Sequence, residues 1–273
     1  MVAEDTSAAE PDLGFDVTVS HSARIWNYWL GGKDHFAVDR QAGDRVAAML
    51  PIIVTQARAD RAFLGRAVRY LAGEAGIRQF LDIGTGLPTA DNTHEVAQRA
   101  APQARIVYAD NDPMVLAHAR ALLTSSPEGA CDYVNGDLRE PDAILSQAAR
   151  TLDLTRPVAL MLLGVLHHIS DTDQAYAIVR QLMTALAPGS YLVVNHSTSA
   201  ISGAAMEDAV AHWNKVGTPP MTLRTPGQIA RFFDGLELLE PGVVSCSRWR
   251  PGPSPPGGQH PEVDEFCGVA RKP

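Results

Sequence analysis

Residues 157–164, PVALMLLG, run for eight positions without a polar side chain. A strand of that kind must be buried on both faces, as a central strand is in a parallel sheet covered by helices on either side. The surrounding chain keeps the matching rhythm. Short runs, RQFLDIG (78–84), RIVYAD (105–110), DYVNGD (132–137) and SYLVVNHS (190–197), alternate with helical segments near 92–101, 113–124, 140–150 and 172–187. LELLEPGVVSCSRWR (236–250) and EFCGVARKP (265–273) are expected to form an antiparallel hairpin across the Pro/Gly-rich connector 251–264. The fold class is therefore α/β, a doubly wound and mostly parallel sheet.

Three helices are expected before the first strand. One starts from a cap at Ser20 or Ser22 and ends at Gly31-Gly32, a second runs from Asp34 to Pro51, and a third covers 52–75. Residues 1–19 read as a disordered acidic tail, 20–76 as a helical cap or lid, and 77–273 as the sheet domain. A net charge of −8 without a basic cluster argues against nucleic acid and anionic membranes as partners. Three scattered cysteines support neither zinc nor disulfides, and the N-terminus lacks an apolar leader, so a cytoplasmic protein is expected. No residue pattern sets an oligomeric state.

Chemistry gathers at the ends of the strands. Asp82 precedes the turn Gly84-Thr85-Gly86, where glycines let backbone approach a ligand. Asp110 ends the second strand, where a carboxylate can accept hydrogen bonds from both ribose hydroxyls. Asp137 closes the third expected strand, at the place of an adenine edge. Gly86 is followed by Leu87-Pro88-Thr89, so the third glycine of a dinucleotide fingerprint is missing, and no GK[ST] follows as a P-loop requires. Asp82 would repel phosphate but can reach an ammonium group through water. The ligand these features describe is an adenosine with a cationic amino-acid tail.

LDIGTG, VYADNDPMVLAHAR, NGDL and LLGVLHHI, in that order, resemble the motif series of class I S-adenosylmethionine-dependent methyltransferases. RIWNYWLGGKDHFAVDR (24–40), ARADRAFLGRAVRYL and NTHEVAQ further resemble an actinobacterial S-adenosyl methyltransferase family long catalogued as a domain of unknown function. The resemblance runs from about Ser22 to the C-terminus. It implies a Rossmann-like, seven-stranded sheet with a final antiparallel strand, and S-adenosyl-L-methionine as cofactor. Gly84, Thr85 and Gly86 would lie along the methionine portion, Asp110 would hold the ribose, and Asn111, Asp137 and Leu138 would border the adenine. Gly164 would approach the sulfonium. The longer turn GLPTADNTHEVA leaves Asn92, Thr93 and Gly86 as alternative helix-terminus contacts.

After the fourth strand stands GVLHHI rather than an Asn-Pro-Pro-Tyr segment, which favours a small-molecule methyl acceptor over nucleic acid or glutamine. His167 is the candidate base, because an imidazole titrates near neutral pH. Asn195 and His196 could orient the acceptor. His94-Glu95 lacks the second histidine of a zinc motif, so no metal is expected. In the N-terminal segment, Ile25, Trp26, Trp29 and Leu30 are expected to anchor the lid. Arg24, Asn27, Tyr28 and Gly32 would face the cofactor, Tyr28 as a second catalytic candidate, and His35 would line the acceptor entrance. A protein that binds the cofactor without catalysis is the competing reading.

Overall fold

The computed structural model describes residues 16–89, 91–122, 124–253 and 260–273. Most of the expected tail 1–19 and the centre of the connector 251–264 lie outside the described residues. Three helices come first: α1 Ser22–Trp29, α2 Ala37–Met49 and α3 Ile53–Gly73. The alternating part follows as β1 Gln79–Ile83, α4 Thr93–Ala100, β2 Arg105–Asp110, α5 Pro113–Leu122, β3 Ala130–Asn135, α6 Pro141–Ala148, β4 Ala159–Leu163, α7 Thr172–Ala185 and β5 Tyr191–Ser197. The remainder is α8 Ala204–Val216, α9 Pro226–Ala230, β6 Glu237–Leu238, β7 Val244–Ser245 and β8 Glu265–Arg271.

The sheet has eight strands in the order β3-β2-β1-β4-β5-β8-β6, with β7 also on β8. Strands β1 to β5 run parallel, whereas β8 lies antiparallel to β5 and carries both β6 and β7. The seventh position expected of the sheet is thus split between two strands of two residues each. Glu240-Pro241-Gly242 separates them, and proline cannot donate to a ladder. One face of the sheet packs on α6 and α7 and the other on α3 and α4, so β4 is buried from both sides.

One strand sits two residues earlier than the sequence rhythm suggests. Ala130 pairs with Arg105 and Asn135 with Asp110, which ends β3 before Gly136. Asp137 therefore occupies the following turn, not a strand end.

The N-terminal helices and α8 form a roof over the carboxyl ends of the parallel strands. Val46, Leu50 and Ile53 meet Met206, Ala209 and Val210 in a separate apolar cluster. Backbone also joins the two parts, as Ser22 N donates to Thr218 O at 3.0 Å. The start of α1 is capped by His21, whose Nδ1 accepts from Ala23 N, rather than by Ser20 or Ser22. Helix α2 starts after Phe36, because Asp39 turns back to accept Phe36 N at 2.8 Å.

Candidate active site

The roof leaves one continuous cavity between itself and the strand ends. Its floor on one side is Asp82, the turn Gly84–Gly86, Asp110, Asn111 and Gly164. Gly84 has φ +76, and a Cβ there would sit 2.3 Å from the Val165 side chain, so only glycine permits this turn beside the end of β4. The turn is fixed from below by Asp110, whose Oδ2 accepts Gly86 N at 3.1 Å while Oδ1 accepts Asp112 N at 2.9 Å. Asp82 accepts the Thr93 hydroxyl at 2.6 Å, which ties it to the first residue of α4. Asn92 caps that helix with Glu95 in a reciprocal box, and Thr93 reaches the acid beneath the loop.

Burial sets the charge state of this floor. It pushes the Asp82 and Asp110 carboxyls each up to about 6, and Asp60, beside them on α3, up to about 7, with Arg61 pulling Asp60 and Asp82 the other way. A carboxyl raised in the folded state stays protonated after its unfolded counterpart, at 3.8, has ionised. The contribution of these groups to the stability of the empty protein therefore falls as pH rises from 3.8 to about 7. A cationic ligand reverses the preference by favouring the ionised forms. Binding of S-adenosylmethionine is expected to be about tenfold weaker at pH 5 than at pH 7.5, since one required carboxylate with a pKa of about 6 is then mostly protonated. Calorimetry across that range checks this.

Tyr108 and Tyr133, which no motif singled out, line the same side and stack at 5.1 Å. The other side of the cavity is a chamber walled by Trp26, Trp29, Leu50, Val210, Trp213 and Met221, with Gln56, Asp60, His167 and Ser197 at its polar end.

His167 is buried in the short helical turn after β4, and burial holds its pKa well below the usual imidazole range. It is neutral, a poor proton acceptor, and its Nδ1 lies 3.3 Å from Ser197 Oγ, which in turn meets Glu265 Oε2 at 2.8 Å. His196 lies outside the cavity lining. It is fully buried between Ser197 O and the Arg224 guanidinium, and burial takes its pKa down to about 3. Arg224 also donates to Leu166 O and Ile169 O, so this pair clamps the turn that carries His167. Asn195 is likewise buried beneath the lining, where its side chain accepts from Gly164 N and donates to Asp60.

The N-terminal segment divides its work opposite to expectation. Arg24 and Asn27 are the buried anchors: Arg24 pairs with Asp39 at 2.9 Å, and Asn27 Oδ1 caps Asp34 N at 3.0 Å. Of the expected apolar anchors only Ile25 is buried; Trp26, Trp29 and Leu30 are half-buried because they wall the cavity. Asn27 also touches the cavity, but Arg24, Gly32, Tyr28 and His35 do not line it. Tyr28 turns outward, its hydroxyl on Asp44 at 2.7 Å and its ring against His35 at 5.1 Å. Tyr28→Phe is accordingly expected to change cofactor affinity less than about twofold, within the range of neutral surface substitutions, as calorimetry would show. Asp137 is held by Asn111 and Arg139 on the outer rim, and Leu138 is packed into the core, so neither reaches the cavity as the structure stands.

The donor set decides which nucleotide fits. The floor is acidic, and among the described lining residues Arg61 is the only permanent cation, so a pyrophosphate finds little to hold it. A nucleoside with a cationic tail matches the acids and the glycine turn.

Comparison with known proteins agrees. The family model described as S-adenosyl methyltransferase matches residues 8–273. The chain is 44% identical to a DUF574 family protein from Streptomyces avermitilis, with 94% of this chain and 99% of that one covered at a TM-score of 0.90. A putative methyltransferase from Thermobifida fusca is 41% identical over 97% of this chain and 99% of the other, with a TM-score of 0.87. Among curated proteins there is no significant match. Sequence, fold and family match converge: the chain belongs to the S-adenosyl methyltransferase family, whose cofactor is S-adenosylmethionine.

Proposed function

We propose that the protein transfers a methyl group from S-adenosylmethionine to a small-molecule acceptor. The observation that carries this reading is the continuity of the cavity, which joins the acidic floor to the apolar chamber under α1, α2 and α8. A roof over the reacting centre excludes water and leaves room for a small acceptor rather than a macromolecular strand. Asp110 would receive the ribose hydroxyls, the Gly84–Gly86 turn the methionine portion, Asp82 its ammonium group, and Asn111 the adenine side. The sulfonium supplies an already activated methyl group, so the protein mainly aligns the partners.

His167 and Ser197 would border the acceptor as hydrogen-bonding groups. Among the described residues no helix is long and apolar enough to cross a membrane. The cysteines are free, which suits a reducing cytoplasm.

The test is transfer of label from methyl-labelled S-adenosylmethionine in a cell extract separated into small-molecule and macromolecular fractions. Protein-dependent label among small molecules supports the proposal. Label only in nucleic acid or protein, or none at all, would overturn it.

A further inference from the structure

Asp60 and Gln56 stand one helical turn apart on α3, and both line the polar end of the chamber. The Asp60 carboxylate is oriented through Oδ1 by Asn195, the same side chain that holds the backbone of Gly164 at the end of β4. Gln56 gives its amide N–H to Glu265 Oε2 at 3.1 Å, and its Oε1 is buried with no hydrogen-bond partner among the described residues. The protein has therefore placed an anionic acceptor at one end of an apolar chamber, beside a glutamine whose own acceptor, just beneath the lining, is left wanting a donor. Leaving a buried acceptor unpaired costs stability, which a ligand with several N–H donors would recover. The walls carry Trp26, Trp29 and Trp213, and indole faces suit a cation.

We propose, resting on the methyl-transfer reading above, that the acceptor is a largely apolar amine whose nitrogen is held by Asp60 and Gln56, with Asp60 as its general base. An ammonium group brings three donors and a positive charge, whereas a hydroxyl brings one donor and none. Burial destabilises the Asp60 charge, Arg61 opposes that, and Asp82 and the buried Glu265 add to it, so a cation beside Asp60 is favoured, and a carboxyl near 7 can take a proton at neutral pH.

The step balances. One N–H bond of the ammonium breaks, and its proton goes to Asp60, which becomes neutral. The freed nitrogen lone pair forms the bond to the methyl carbon, and the electron pair of the carbon–sulfur bond stays on sulfur, neutralising the sulfonium. The methylated nitrogen carries the positive charge, and Asp60 returns its proton to water. The neutral His167, linked to Gln56 through Ser197 and Glu265 at the same polar end, remains a hydrogen-bonding wall.

The experiment compares tryptamine with tryptophol, and phenethylamine with phenethyl alcohol, binding to the full chain saturated with S-adenosylhomocysteine. The expected result is that each amine binds about tenfold tighter than its alcohol, the effect of one charge-assisted hydrogen bond. That preference should fade below pH 6 in the unaltered protein. Asp60→Asn, which preserves shape, should abolish the preference while S-adenosylhomocysteine still binds. Equal binding of amines and alcohols, or a preference that survives both low pH and Asp60→Asn, would overturn the proposal. Failure of the unaltered protein to bind S-adenosylhomocysteine would instead defeat the methyl-transfer reading beneath it.

Discussion

Asp39→Ala is expected to destabilise the protein by about 3–5 kcal/mol, the range for leaving one member of a buried ion pair uncompensated. Asp39 is fully buried and faces Arg24, itself 3% exposed, at 2.9 Å. It also accepts the backbone N–H groups of His21 at 3.1 Å and Phe36 at 2.8 Å, so one carboxylate fixes the start of α1 against the start of α2. At about 2–4 °C per kcal/mol for a chain of this size, the melting temperature should fall by roughly 10 °C. Arg24→Met combined with Asp39→Leu should recover part of the loss, because replacing both charges removes the desolvation penalty along with the attraction. Thermal unfolding followed by circular dichroism measures both. A loss below about 1 kcal/mol for Asp39→Ala would mean that the roof does not depend on this pair.

Asp110→Ala should act on the ligand rather than on the fold. Removing the carboxylate proposed to accept from two ribose hydroxyls should weaken S-adenosylmethionine binding by about 30- to 150-fold, equivalent to about 2–3 kcal/mol. The empty protein loses two backbone contacts, from Gly86 and Asp112, but also sheds a carboxylate that burial disfavours. These effects oppose, and the apo melting temperature should move little. A large drop in melting temperature with unchanged affinity would reverse the assignment and make Asp110 a brace for the loop.

The contrast between these two acids shows what the sequence can and cannot reveal. Asp110 was legible because it closes a β-strand whose apolar run leads up to it, and the ends of parallel strands share one rim. Position along a strand predicts position in space. Asp39 lies in a helix of low amphipathicity, and its importance comes from a partner fifteen residues away that no periodicity joins to it.

The N-terminal segment was misread for a related reason. Large apolar side chains are ordinarily the buried ones, which assigns Trp26 and Trp29 to anchoring and Arg24 to the ligand. Here the segment covers a hollow rather than a packed surface. Its indoles line that hollow, and the guanidinium, which finds a full set of acceptors in Asp39, Asp16 O and Val19 O, goes inside. Burial of a charge is decided by its partners, and those are tertiary.

No motif singles out Asp60, Gln56, Arg224 or Glu265. Gln56 and Glu265 are separated by 209 positions, and Asn195 and Asp60 by 135, so only the folded sheet brings them together. The one local signal was that Gln56 and Asp60 fall four apart on a long helix otherwise rich in apolar residues. Asp137 failed in the opposite way. Its motif was clear, but β3 ends two residues before it and leaves it on the outer turn.

On the proposed reading, one cavity beneath the N-terminal helices and α8 holds the cofactor on its acidic floor and directs the methyl group into the apolar chamber. A crystal structure of the full chain with S-adenosylhomocysteine tests it most directly. The ribose hydroxyls are expected on the Asp110 carboxylate, the amino-acid tail along Gly84–Gly86, and the sulfur beside Gly164, facing the space between Asp60 and Trp213. Density for the nucleoside on the outer rim away from Asp110, or a sulfur turned from the chamber, would contradict it.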